Sequence, residues 1–233
     1  MRKANYGIDA PTVLRNLILA AIACYALAFF VVRGFIGPAI GFTIAVIFML
    51  WGSLIGKFRA RDKVLNAIPW RGDEQALDVG CGHGLMLIGA AKRLTSGRAT
   101  GIDIWQNVDQ ASNSAEATKL NAQLEGVANV VDIRDGDARK IPFGDETFDV
   151  VVSSLALHNI YDKAEREQAL REIARVTKSG GHVGIVDIRH SYAPVFEQLG
   201  FTITKKWWSP MFAMSTRGMV ARKGRADAPV RPS

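Results

Sequence analysis

The stretch Asp78–Gly84, with the sequence DVGCGHG, decides the fold of this chain. It lies between two apolar runs, the short Ala76–Val79 and the longer Leu85–Leu94, and so predicts a turn from a strand into a helix. Its alternating glycines (Gly80, Gly82 and Gly84) let the backbone approach a ligand closely, and the start of the helix aims amide groups at that ligand. The third glycine comes one residue early for the G-x-G-x-x-G pattern of dinucleotide-binding proteins. Asp78, at the end of the strand, could hold a cationic amino group.

Beyond this turn, short apolar strands alternate with helical segments along the chain. The alternation predicts an α/β fold with a doubly wound, mostly parallel sheet of seven strands. The last two predicted strands, Phe201–Trp207 and Ser215–Ala221, have no helix between them, which predicts an antiparallel edge.

The ends of the next strands carry residues suited to a nucleoside. Asp103 could accept hydrogen bonds from both hydroxyls of a ribose, and Trp105 could pack on an adenine. Asp137 could accept a hydrogen bond from the exocyclic amine of that base. Alone, each aspartate could equally cap a loop, but their order at successive strand ends favours a binding site. The neighbouring candidates are Ile104, Gly136, Ala138 and Ser153.

These residues resemble the class I S-adenosylmethionine-dependent methyltransferase superfamily over roughly residues 63–223. The blocks that carry the resemblance are LDVGCGHG, GIDI, GDARKIPF, FDVVVSSLALHNI and REIARVTKSGGHVGIVDI. The last two are similar to the small-molecule and lipid branch. The resemblance implies a Rossmann-like methyltransferase fold and S-adenosyl-L-methionine as cofactor. It also implies that Asp78 and the glycines surround the methionine moiety, that Asp103 binds the ribose and that Asp137 meets the adenine.

The first 61 residues depart from that superfamily. They carry +6 of the net charge of +7, and two long uncharged apolar runs, Leu17–Val32 and Phe35–Ile55, lie between their basic residues. The rest of the chain is nearly neutral, which argues against nucleic acid as a partner. The two runs predict a hairpin of hydrophobic helices with the lipid bilayer as its partner. A signal peptide, or a hairpin that lies in the interface without spanning, remains an alternative.

Lysine and arginine are more frequent at the two ends of this hairpin than in its turn. The positive-inside rule then predicts a membrane protein with both termini and the catalytic domain in the cytoplasm. The predicted organisation is a hairpin at 1–56, a linking amphipathic helix at 57–72, a methyltransferase domain at 73–224 and a disordered tail at 225–233.

His158, after the fourth predicted strand, is the candidate general base, because histidine titrates near neutral pH. A purely structural role for it stays open. The spacing of the two cysteines (Cys24 and Cys81) matches no metal site, so no metal is expected.

The apolar cluster Trp207, Trp208, Met211, Phe212 and Met214, together with the hairpin, favours a lipophilic or membrane-resident small molecule as methyl acceptor. Three other functions remain open at this point. They are methylation of a small thiol, cofactor binding without catalysis, and a nicotinamide-dependent oxidoreductase.

Overall fold

The computed structural model describes residues 3–105, 113–188, 191–211 and 214–225. Seven strands form one sheet in the order β3-β2-β1-β4-β5-β7-β6. They are β1 (Gln75–Val79), β2 (Arg98–Asp103), β3 (Val131–Asp135), β4 (Phe148–Ser154), β5 (Thr177–Ile188), β6 (Phe201–Met211) and β7 (Met214–Lys223). The first five run parallel, and β7 is antiparallel to both β5 and β6. The predicted seven-stranded α/β fold with an antiparallel edge is therefore confirmed.

Helices cover both faces of the sheet, which is why its central strands are almost continuously apolar. The chain order is α1 (Pro11–Phe30), α2 (Ile36–Trp51), α3 (Lys57–Leu65), α4 (Leu85–Ala91), α5 (Ala115–Leu124), α6 (Lys163–Val176) and α7 (Ala193–Gln198). One buried cluster joins the sheet to α6 and α7, and the other joins it to α3 and α4. The helix predicted as a linker thus belongs to the layer that covers the sheet, with Val64 and Leu65 fully buried.

The strand order reverses between β1 and β4, whose carboxyl ends lie side by side. In open α/β sheets the ligand crevice forms at such a point. The turn after β1 and the loop after β4 nearly touch, since a Cβ atom added to Gly80 would lie 2.3 Å from the Cβ of Ala156.

Two N-terminal helical stretches are long and apolar enough to cross a membrane by length and composition, namely α1 and the stretch Arg33–Leu65. In the second stretch, α2 continues through the π-helical turn Gly52–Gly56 into α3 without a break. The hydroxyls of Tyr25 in α1 and Thr43 in α2 lie 3.3 Å apart. The apolar side chains that this pair leaves exposed are Val13, Ile18, Leu19, Ile22, Tyr25, Leu27, Phe29, Phe30, Val31, Val32, Phe35, Ile36, Ile40, Ile44, Ile47, Phe48, Leu54 and Ile55.

The segment before α1 folds back against the start of α3. The Lys57 ammonium is 3% exposed and donates to the carbonyl oxygens of Tyr6 and Gly7 at 2.8 and 2.6 Å. It also pairs with the Asp9 carboxylate at 3.4 Å. A buried ammonium needs such acceptors to offset its lost hydration. The base of the helical pair is therefore fixed to the domain by polar contacts as well as by packing.

Candidate functional site

The glycine turn is held in a backbone conformation that other residues rarely adopt. Gly80, Gly82 and Gly84 have φ angles of 74°, 49° and 84°, in the left-handed region where a Cβ atom is strained. The amides of Gly80 and Cys81 both donate to the carbonyl oxygen of Ile102, at 2.9 and 3.0 Å. The turn is thus fixed to the end of β2, and the predicted strand-turn-helix arrangement is what the structure contains.

Asp78 lies beneath this turn and is 2% exposed. Its Oδ2 accepts a hydrogen bond of 2.8 Å from the amide of Leu87 in α4. Its Oδ1 is buried and has no hydrogen-bond partner within the described residues. Burial raises the pKa of the Asp78 carboxyl to about 8, while the Leu87 amide opposes the rise and the Asp103 carboxylate adds to it. A buried carboxylate with a vacant oxygen is suited to a cationic ligand group.

Asp103, at the end of β2, joins the glycine turn to the segment that follows it. Its Oδ2 accepts from the amide of Gly82 at 2.9 Å, and its Oδ1 accepts from the amide of Trp105 at 2.7 Å. Trp105 has a positive φ of 56°, which is costly for a bulky residue, and its indole donates to Asp135 at 2.6 Å. Ile104 between them is 50% exposed. Oδ1 also accepts from the side-chain amide of Asn113 at 3.3 Å, so Oδ2 is the oxygen of Asp103 that keeps acceptor capacity for a further donor.

The carboxylate of Asp137 accepts hydrogen bonds from Arg139, two positions further along the chain. The Arg139 guanidinium donates to both carboxylate oxygens of Asp137 at 2.6–3.0 Å and also reaches Glu165 at 2.6 Å. These hydrogen bonds lower the pKa of the Asp137 carboxyl. Ala138 packs against the core, and the amide of Gly136 donates to the carbonyl of Asp103 at 3.1 Å. Arg139 therefore competes for the carboxylate that was predicted to meet an adenine amine.

Ser153 is 1% exposed, and its hydroxyl donates to the carbonyl oxygen of Val79 at 2.8 Å. The serine thereby ties the end of β4 to the end of β1. This contact gives Ser153 a positioning role beneath the crevice.

His158 lies in a short 3-10 turn after β4 and faces a buried carboxylate. Its Nδ1 is 2.6 Å from Oδ1 of Asp187, and its amide donates to Oδ2 of the same residue at 3.0 Å. Asp187 is 1% exposed and also accepts from the amide of Ile188 at 2.7 Å and the hydroxyl of Tyr192 at 3.1 Å. Burial and the Asp187 carboxylate raise the pKa of Tyr192, which keeps it a donor. The carboxylate thus fixes the orientation of the imidazole ring.

Sequence reasoning missed Asp187, although it ends an apolar strand at the same sheet edge as the other aspartates. It also missed α5 as a support for the glycine turn. The Asn121 amide donates to the carbonyls of His83 and Asn5 at 2.9 and 2.8 Å, and the Thr118 hydroxyl donates to the carbonyl of Gly82. No local pattern indicates these contacts.

Two members of the predicted apolar cluster, Trp207 and Trp208, differ in their exposure to solvent. Trp207 is half-buried, with the Lys63 ammonium 5.0 Å from its ring, whereas Trp208 is 61% exposed. Phe212 lies outside the described residues, and only the backbone of Met211 and Met214 is described. The predicted tail beyond residue 225 also lies outside them.

S-adenosylmethionine fits the residues at this edge of the sheet. The buried Oδ1 of Asp78 lacks a partner within the described residues, as a contact for a ligand ammonium requires. The glycine turn brings backbone close to that position without side chains, and Asp103 lies on its other side. Within the described residues, no group of three or more His, Cys, Asp or Glu side chains could hold a metal ion.

Comparison with known proteins agrees with this geometry. Residues 77–185 match the family model described as a methyltransferase domain. Demethylmenaquinone methyltransferase of Staphylococcus aureus is 33% identical over 153 residues, which cover 65% of this chain and 58% of that protein. The chain therefore matches less than two thirds of the length of this relative.

Solved structures share the fold at lower sequence identity. A SAM-dependent methyltransferase from Methanosarcina mazei has a TM-score of 0.57 at 18% identity, over 70% of this chain and 97% of that chain. The cyclase SpnF has a TM-score of 0.60 at 21% identity, over 72% of this chain and 82% of that chain. A cyclase on the same fold illustrates that fold alone does not settle the reaction. Residues 77–185 are therefore similar to a methyltransferase domain, and the sheet that contains them has the fold of the solved methyltransferase.

Proposed function

We propose that the chain is a membrane-anchored methyltransferase that transfers a methyl group from S-adenosylmethionine to a lipophilic ring compound. The observation that carries the proposal is the pairing of His158 with the buried Asp187 next to the crevice that Asp78 borders. The name of the Staphylococcus aureus relative supports a lipophilic quinone as the class of acceptor.

In this proposal residues at the carboxyl ends of β1, β2 and β3 would hold the cofactor. Asp78 holds its amino group, and the turn of Gly80, Gly82 and Gly84 lies against its methionine part. Asp103 takes the ribose hydroxyls, chiefly through Oδ2, which accepts one hydrogen bond within the described residues, from the amide of Gly82. The adenine end is assigned to Ile104, Trp105, Gly136, Asp137 and Ala138. Ser153 acts indirectly, by fixing the strand ends on which the crevice depends.

The bound cofactor supplies a methyl group on a positively charged sulfur, which leaves as a neutral thioether. The protein then has to align the acceptor and remove its proton. Because Nδ1 of His158 donates to Asp187, the lone pair of the ring is on Nε2, and this atom takes the hydroxyl proton of the acceptor. With the cofactor bound, the electron pair that this proton leaves on the acceptor oxygen, or on the ring carbon conjugated with it, would take up the methyl group. The pair of the broken carbon–sulfur bond would stay on sulfur.

The helical pair anchors the protein in the membrane with the methyltransferase domain on the cytoplasmic side. Its exposed apolar side chains would otherwise contact water, at a cost of about 25 cal/mol per Å² of apolar surface. The basic residues at its two ends favour a cytoplasmic location of both termini. The proposal is that α1 and α2, the apolar first part of the stretch Arg33–Leu65, span the bilayer.

The test uses the full chain in lipid nanodiscs with methyl-labelled cofactor and a reduced, prenylated quinone. We expect label in the quinone fraction and a strong loss of turnover in His158→Gln. His182→Gln is the matched control, because His182 lies at the opposite end of the sheet, and it should retain turnover. Label that enters only a small thiol would overturn the proposed acceptor class.

Anchoring is tested by alkaline carbonate extraction of native membranes. The chain should remain with the membrane pellet. Release of the intact chain into the supernatant would contradict the spanning hairpin.

A further inference from the structure

A groove opens on the α7 side of the antiparallel edge of the sheet, with a volume of about 390 Å³. The residues that matter for its chemistry are Tyr192, Lys206, Trp208, Arg217 and Met219, which all line it. Tyr192 is also the residue that donates to Asp187, so the groove begins where the His158–Asp187 pair is held.

The strand register places Asp187 and two residues of the groove side by side, in one row across three strands. Asp187 in β5 is the direct partner of Arg217 in β7, and Arg217 is the direct partner of Trp208 in β6. Directly opposed residues project to the same face of a sheet, and neighbouring strands are about 4.8 Å apart. The row from Asp187 to Trp208 therefore extends over roughly 10 Å, which is enough for a fused two-ring system.

The rim of the groove is positively charged. Lys206 and Arg217 are both exposed, and within the described residues neither forms an ion pair with a carboxylate at 4.0 Å or less. Lys178 in β5 and Lys223 in β7, at the other end of the sheet, do have such partners, at 2.8 and 3.4 Å. The four donors on Asp187 occupy that carboxylate, which leaves the guanidinium of Arg217 available to a ligand.

We propose that this groove is the acceptor site and that it selects a planar two-ring compound with an ionised oxygen. Trp208 stacks on the ring system, Arg217 pairs with the ionised oxygen, and Lys206 adds to the positive field. The reacting edge of the ring faces the His158 end of the row. The inference rests on the proposed function and deepens it, because it names the charge and shape by which the acceptor is recognised.

The test is calorimetric binding of two matched probes, 2-naphthoate and naphthalene-2-carboxamide, to the full chain in nanodiscs. They share one ring system and differ in charge. We expect the carboxylate to bind about fivefold more tightly, as a partly exposed ion pair allows, and Arg217→Gln to abolish this preference. Lys205→Gln is the control, since Lys205 pairs with Val220 and so lies on the opposite face of the same strand. Trp208→Ala should weaken both probes equally, by about fivefold.

In turnover, Arg217→Gln should raise KM for the acceptor and leave the Kd of the cofactor unchanged. A wild-type chain that binds both probes equally, or a preference that survives Arg217→Gln, overturns the groove assignment even if the chain methylates quinols. A preference that depends on Arg217 in a chain that methylates no quinol upholds the groove and refutes the proposed function instead.

Discussion

Asp78 at the end of β1 and Asp187 near the end of β5 are both buried carboxylates at the same edge of one sheet, yet their surroundings differ. Within the described residues Asp78 accepts one hydrogen bond, from the amide of Leu87, and its second oxygen has no partner. Asp187 accepts four, from the amide and ring of His158, the amide of Ile188 and the hydroxyl of Tyr192.

The buried carboxylate of Asp78 therefore leaves one oxygen for a ligand to bind, whereas the protein itself supplies the hydrogen bonds to the carboxylate of Asp187. Burial with a single donor disfavours the charged form, so the pKa of Asp78 is raised and its carboxylate gains most from a cation supplied by the ligand. The four donors to Asp187 all come from the protein and hold its carboxylate in place, so that it can orient the neighbouring ring of His158. Substitutions at Asp187 should therefore affect turnover, and substitutions at Asp78 should affect cofactor binding.

The largest expected effect is that of Asp187→Asn. The asparagine amide cannot accept the Nδ1 proton of His158 as the carboxylate does, so the ring loses the tautomer that leaves Nε2 free. We expect kcat to fall by on the order of 100-fold, within the range for lost general base catalysis, while the Kd of the cofactor stays unchanged. Steady-state kinetics and calorimetry on the same preparation measure the two quantities. A parallel loss of cofactor affinity would show that Asp187 supports the binding crevice as well.

Asp78→Asn should have a smaller effect than Asp187→Asn, and it should change the Kd of the cofactor, not kcat. Removal of a charged hydrogen bond to the cofactor ammonium costs about 1.5–3 kcal/mol, or roughly 10- to 100-fold in Kd. At saturating cofactor, kcat should stay within a few-fold of the wild-type value. Asp149→Asn is the control, because Asp149 lies at the opposite end of the sheet and is bonded to Lys178. If Asp78→Asn bound the cofactor as tightly as the wild type does, the different roles assigned to the two carboxylates would be wrong.

Part of this site could be predicted from the sequence, because its signals are local. Asp78 lies at the end of a strand, and the glycine turn and His158 each follow a strand, that the apolar residues of the sequence predict. The hydrogen bonds from Arg139 to Asp137 were not predicted, although a single residue separates the two.

The remaining features depend on contacts between residues that are far apart in the chain. Asp187 meets His158 across 29 positions, and Asn121 meets Asn5 across 116. The opposite environments of Trp207 and Trp208 follow from the period of two in a strand, once the strand is known to continue through both. Periodicity predicts the elements, but the pairing of side chains from different elements depends on the register that packing selects.

The smallest effect expected is a pH dependence that only Asp78 should produce. Its carboxyl has a pKa of about 8 in the folded protein and 3.8 as a reference value, so the folded chain keeps a proton that the unfolded chain loses. The contribution of Asp78 to stability is therefore present at low pH and is lost as the pH rises from about 4 to about 8. A cationic ligand favours the ionised form, so cofactor binding should release this proton. Affinity should then rise by up to about tenfold between roughly pH 6 and pH 7.

Calorimetry in buffers with different ionisation enthalpies would report close to one proton released per cofactor bound in this interval. The release should persist in Asp187→Asn and disappear in Asp78→Asn. If the proton release instead disappeared in Asp187→Asn and persisted in Asp78→Asn, Asp187 would be the carboxylate that loses a proton when the cofactor binds. The distinction drawn from hydrogen-bond partners would then fail, because it gives the buried oxygen without a partner to Asp78 and four donors to Asp187.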